Sequence, residues 1–229
     1  ALVLSSLHLV GAKQGDSQLT IVGIVVAGLF FFVTKGEPLS KLSPYRPPSS
    51  VLSKQILTSI AMQFAIHCVC IMGITAVSKF YLDPYDPSLV PDGAFNPNTL
   101  NSATFIMTVL TTVNTFVVNY RGRPFMQDLR ENKMMTKGLQ ICYVALFSCA
   151  LEVFPPLNDL MQLAPLPGDG EELVGIINLN DIGPHIQFLM MIVNAIGFKM
   201  TLCAIMAVDT ALSYVGEKAL IKFFEPDVK

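Results

Sequence analysis

Charge is scarce in this chain, tryptophan is missing, and no familiar catalytic signature is present. Charged residues make up 14% of the 229 positions and hydrophobic ones 52%. A soluble domain usually carries about 25% charged residues. A soluble fold would have to hide several long apolar stretches in one core with too few charges to solvate its outside, so that class is excluded. There is no P-loop, no nucleophile elbow and no zinc-binding spacing, so no ATP chemistry resides in these residues. Cys68, Cys70, Cys142, Cys149 and Cys203 all fall inside apolar stretches. Free cysteine acts there as a small apolar residue, and neither disulfides nor zinc are expected. The net charge of −2 leaves no electrostatic footprint for a nucleic-acid partner. Without tryptophan, the interfacial aromatic belt thins to Tyr81 and Tyr85.

What the chain does have is apolar stretches at 19–33, 56–77, 100–118, 139–154 and 186–213, the last interrupted by Lys199. A helix rises about 1.5 Å per residue and a hydrocarbon core is about 30 Å thick, so about 17–25 apolar residues suffice to cross. The prediction is an all-α polytopic membrane bundle, with about five full spans plus the end of a sixth. The expected organisation begins with the end of a truncated span over 1–10 and a transmembrane helix over 19–34. A loop at 35–54, a helix at 55–78, a loop at 79–99 and a helix at 100–119 follow. Then come a loop at 120–137, a helix at 138–154, a loop with a short helix at 155–197, a last helix at 198–215 and a tail at 216–229. For the segment 186–213 a single tilted helix is the alternative.

Loop charges give the orientation. Lys35, Lys41, Arg46 and Lys54 share one side with Arg121, Arg123, Arg130, Lys133 and Lys137, and with Lys218, Lys222 and Lys229. The intervening loops carry Asp16, then Asp83, Asp86 and Asp92, then Asp159, Asp169, Glu171, Glu172 and Asp181. The positive-inside rule places the basic set in the cytosol and the acidic set in the lumen.

Polar residues inside the stretches mark candidate sites. Gln55, Ser59, Gln63 and His67 recur every fourth position and so share a helix face, as do Thr104, Thr108, Thr111, Thr115 and Asn119. Two such stripes can line a substrate-accepting groove or act as hydrogen-bonding glue between helices. Asp209 is costly to insert and must face a partner or water. Lys199 lies about 15 Å away along the helix, too far to pair with it, and is expected to snorkel to the lumenal interface. Gly23, Ala27 and Gly28 form a small-residue face that lets another helix approach. The span 19–33 has no carboxylate, so a Ca²⁺ or Mg²⁺ pump site, which needs several converging oxygens, is not built here.

The segment 119–132, NYRGRPFMQDLREN, resembles the Asn-Tyr-Lys-Gly-x-Pro-Phe-Met-x-x-Leu-x-Glu-Asn segment of type V P-type ATPases, subclass A. The matching positions are Asn119, Tyr120, Gly122, Pro124, Phe125, Met126, Glu131 and Asn132. GAKQGDSQLTIVGIVVAGLFF, KGEPLSKLSPYRP, MQFAIHC and the Phe198-Lys199-Met200…Asp209 arrangement are similar to that family too. The likeness covers most of 8–135 and 198–224, whereas 154–196 departs from the pattern.

The resemblance implies a C-terminal membrane region of an endoplasmic reticulum translocase, comprising the end of the fifth helix and the sixth to tenth. It implies a missing N-terminal part with an Asp-Lys-Thr-Gly phosphorylation motif, ATP and Mg²⁺ use in the full-length protein, and a transmembrane polypeptide as cargo. The lipid bilayer is the other expected partner. Substrate-path candidates are Asp209, Gln63, His67, Thr108, Thr111 and Thr115. Alternatives are a subclass B polyamine or cation exporter, which would want several intramembrane carboxylates, and a non-transporting structural membrane protein.

Overall fold

The computed structural model describes residues 3, 7–41, 50, 52–83, 85–90, 93–168 and 183–224. Half of the expected first span at 1–10, the prolines at 44, 47 and 48, the acidic stretch 169–182 and the last five positions lie outside them. Among the described residues seven helices follow in order: α1 (Asp16–Val33), α2 (Lys54–Lys79), α3 (Thr99–Asn119), α4 (Lys133–Ala150), α5 (Pro155–Leu160), α6 (Pro184–Ile196) and α7 (Phe198–Phe224). There is no strand among the described residues; a lone antiparallel bridge pairs Pro38 with Met126.

Local chemistry explains where the helices begin and end. Ser53, Asn98 and Asn132 each sit at an N-cap and accept the N–H of Ile56, Asn101 and Met135. Such caps satisfy one of the amide donors that a first turn leaves open. Pro184 opens α6, where its missing N–H costs nothing. Gly197 closes α6 with φ 91°, a conformation that favours glycine. The segment 184–224 is therefore two helices hinged at Gly197, not a single tilted rod.

Among the described residues four helices, α1, α2, α3 and α7, are long and apolar enough to cross a membrane. The expected span at 138–154 is built differently. Helix α4 starts at Lys133 and stops at Ala150, so its apolar part from Leu139 rises only about 18 Å. The chain then turns through Glu152 at φ 53° into the short α5. At the other boundary, α7 runs on to Phe224 rather than ending near 215.

Helix α3 is the axle. In its apolar window 72% of residues are buried, against 11% in α1. Phe105, Ile106, Met107, Leu110 and Val113 are fully enclosed. Helix α2 packs chiefly on α7 and α3, while α1 leans on α4 and α3. In lipid, burying an apolar side chain gains little hydrophobic free energy. Dispersion and interhelical hydrogen bonds must hold such a bundle together. The basic residues of the loops gather at one end, where Leu39 N–H donates to Phe125 O at 3.1 Å and Gln127 N–H to Glu37 O at 2.9 Å.

Candidate functional site

Polar side chains converge in a seam between α2, α3 and α7. Asp209 is 0% exposed and sits midway along α7. His67 Nδ1 of α2 lies 3.0 Å from both of its carboxylate oxygens. With Nδ1–H as the donor, both carboxylate oxygens of Asp209 act as acceptors. Asn114 of α3 donates to Asp209 Oδ1 at 2.8 Å, and its own oxygen accepts Tyr143 Oη–H of α4 at 2.6 Å and Thr210 Oγ1–H at 3.2 Å. Asp209 thus ties four helices together.

Two turns further along α7, Glu217 is 3% exposed. Its Oε2 accepts Ser59 Oγ–H at 2.5 Å and Gln63 Nε2–H at 3.0 Å, and its Oε1 accepts Arg121 at 2.8 Å. Gln63 and Asn119 exchange amide hydrogen bonds at 3.2–3.4 Å.

Ser59, Gln63 and His67 of the first stripe meet α7, and Gln63 also meets Asn119, the last member of the threonine stripe. Thr104, Thr108, Thr111 and Thr115 each donate to a carbonyl of their own helix three or four residues back, which satisfies those hydroxyls locally. Lys199 does not snorkel freely: its Nζ pairs with Glu152 Oε2 at 2.5 Å, while Glu152 Oε1 accepts Leu166 N–H.

A second knot ties the opposite end. Gln18, fully buried, exchanges hydrogen bonds with Asn101 at 2.9–3.0 Å and donates to Gln162 O at 3.2 Å. Asn101 also donates to Lys13 O at 2.5 Å.

The segment 119–132 forms a clasp. A Cβ on Gly122 would lie 1.8 Å from Gln127 O, so no side chain fits this turn. Gly122 O accepts Phe125 N–H and Met126 N–H at 3.0 and 2.7 Å. The intervening Arg123–Pro124 peptide is cis. Asn132 caps α4, donates to Phe32 O at 3.0 Å and to Tyr120 Oη at 3.3 Å, and so binds the clasp to the end of α1. Glu131 accepts Asp128 N–H at 2.8 Å and pairs with Arg123 at 2.5 Å. The Asp128 N–H, aided by Arg123, holds the Glu131 carboxyl below its usual range.

Helix α1 presents a third kind of surface. Leu19, Ile24, Phe30 and Phe31 are exposed, and no charge occurs after Asp16. A Cβ added at Gly23 or Gly28 meets nothing within 4 Å, and Ala27 is exposed, so the small-residue face is not used for packing among the described residues. Between α1, α3 and the clasp runs a groove of about 570 Å³, walled by Val26, Phe30, Thr115, Phe116, Asn119 and Met126.

Glu217, Asn114, Tyr143 and Gln18 were not singled out by sequence reasoning. Glu217 carried a usable signal, since Asp209, Ser213 and Glu217 follow the same four-residue spacing.

Bundle and seams together define a multi-span α-helical membrane protein. No protein-family model matches the chain. It is similar to the "Endoplasmic reticulum transmembrane helix translocase" of Saccharomyces cerevisiae, 36% identical over 166 residues, 72% of this chain and 14% of that protein. The protein of the same name from Schizosaccharomyces pombe is 34% identical over 222 residues, 96% of this chain and 16% of its own length. "Probable manganese-transporting ATPase PDR2" of Arabidopsis thaliana is 37% identical over 168 residues, 73% of this chain and 14% of that protein. The chain belongs to the type V P-type ATPases, subclass A, and is part of the membrane region of such an ATPase. Its setting is the membrane of the endoplasmic reticulum, which it crosses several times.

These ATPases use ATP and Mg²⁺. Among the described residues no three His, Cys, Asp or Glu side chains converge on a common point. No step of hydrolysis is assigned to this chain.

Proposed function

We propose that this chain is the C-terminal membrane-spanning part of an ATP-driven translocase that removes mistargeted transmembrane helices from the endoplasmic reticulum membrane. Phosphorylation and nucleotide binding belong to domains outside it. The basic end faces the cytosol, as its lysines and arginines dictate. Within the chain the work is divided: α2, α3, α4 and α7 form the scaffold and α1 offers the cargo-facing surface.

One observation carries this reading: α1 is apolar, free of charge after Asp16, and only 11% buried in its apolar window. A surface of that kind suits an apolar helix better than an ion. The groove beside Phe30 and Phe116 provides space for side chains of a guest. Asp209 and Glu217 are fully engaged with neighbouring helices, which supports a holding role for both. The name of the Arabidopsis relative favours a manganese path as a second reading. Mn²⁺ seeks several oxygen or imidazole ligands together, and the pairing of Asp209 with His67 alone supplies too few.

Site-specific photocrosslinking tests the proposal in the whole translocase. A crosslinker at Ile24 is expected to capture a mistargeted transmembrane protein in an ATP-dependent manner, whereas one at Ile106 captures none. Capture at neither position, or equally at both, sinks it.

A further inference from the structure

At the basic end, the clasp and the last turns of α3 and α7 enclose a cavity of about 400 Å³. Tyr120, Arg130, Tyr214 and Lys218 line it together with Asp128 and Glu217. Arg130, on the clasp, and Lys218, on α7, take no part in the ion pairs of the seams, and neither has an anionic partner among the described residues. Lys218 instead lies over the Tyr214 ring, its Nζ 4.3 Å from the centroid. Lys222 follows one turn later on the same face of α7.

The two carboxylates in the wall do not cancel this charge in the same way. Glu217 is turned into the bundle and is neutralised by Arg121 at 2.8 Å. Asp128 accepts Leu129 N–H at 2.9 Å through one oxygen and remains exposed. The cavity therefore offers two cations without an anionic partner among the described residues, one acceptor and an aromatic edge, at the basic end of the bundle.

We infer that this cavity binds the headgroup of an anionic phospholipid from the adjoining leaflet. Arg130 and Lys218 hold the phosphate, for which a guanidinium fork and an ammonium are suited. Asp128 accepts from the hydroxyl or ammonium donors of the headgroup. Tyr214 is partly exposed in the cavity wall, and an amphipathic ring of this kind is stable at a membrane interface. Basic pockets between membrane helices on the cytosolic side recognise lipid headgroups in this manner. The inference does not depend on which cargo the translocase moves.

The test uses the purified full-length translocase in phosphatidylcholine nanodiscs doped with phosphatidylinositol or phosphatidylserine. Native mass spectrometry after mild delipidation reads the retained lipid. Wild type should keep the anionic lipid, and R130Q/K218Q should retain about tenfold less, as loss of charged hydrogen bonds implies. The control K54Q/K133Q removes two cations at the same end but outside the cavity and should retain the lipid as wild type does. Should the double variant fail to fold, R130Q alone is read in the same way. Unchanged retention in the cavity variant, equal loss in the control, or equal retention of phosphatidylcholine would each overturn the inference. Inorganic phosphate that binds wild type as tightly as the lipid does would assign the cavity to a soluble phosphate and overturn it too.

Discussion

Asp209 occupies a depth at which a carboxylate is expensive, and its neighbours show how that cost is met. Two donors from different helices, His67 and Asn114, converge on it. In Asp209→Ala both would be left without an acceptor, at about 1–3 kcal/mol for each orphaned group. Asp209→Asn keeps one oxygen acceptor and should lose distinctly less. Thermal unfolding of the purified protein checks this, and equal midpoints for the Ala and Asn variants would contradict a holding role. The sequence exposes Asp209 at once, because a lone carboxylate in an apolar run stands out. Its partners are harder to read. His67 lies 142 positions away, and only the packing of α2 on α7 selects it over other polar residues. Asn114 falls off the threonine stripe, and Glu217 hides beside Lys218 and Lys222, whose charges suggest that the helix has already left the membrane.

At the scale of single elements the clasp is the most constrained piece of backbone. Gly122→Ala would drive a Cβ into the Gln127 carbonyl, and an overpacked turn of this kind costs about 1–3 kcal/mol. Limited proteolysis should then cut within 120–132 faster than in wild type, while the bundle persists. Glu131 gives the clasp a pH dependence of definite sign. Its folded pKa lies below the ordinary value, so its stabilisation is present above about pH 4.3 and is lost as pH falls through the lowered folded value. Hydrogen-exchange protection across the clasp, each rate referred to the unstructured rate at the same pH, should fall only at the acid end of the range from pH 6 to pH 3. The segment 119–132 was legible as a loop and as a family signature. That it reaches back to Glu37 and Leu39 was not, since a single bridge between two loops leaves no periodic pattern. The helices were legible from apolar length, but the end of α7 was not, because Glu217 stays in the bundle by pairing rather than by hydropathy.

At the scale of the molecule, burial divides the helices into a core and a working face. Ile106 is fully enclosed and Ile24 is exposed. Ile106→Ala should cost about 2–5 kcal/mol through the cavity it leaves. Ile24→Ala should stay within about 0.5 kcal/mol yet slow clearance of mistargeted proteins. Paired measurements of thermal midpoint and clearance on the full-length protein check the division, and it fails if both substitutions act through stability alone. Helix α7 adds a mechanical consequence. Its two acidic pegs sit about 12 Å apart along one edge, each seated in its own socket. A one-residue slip would swing both through about 100° out of their sockets and turn Asp209 toward lipid, where an unmatched charge near the bilayer centre costs about 2.5–3.5 kcal/mol. The rod can neither spin nor slide on its neighbour. Any displacement of α7 must therefore carry α2 with it, as one strut.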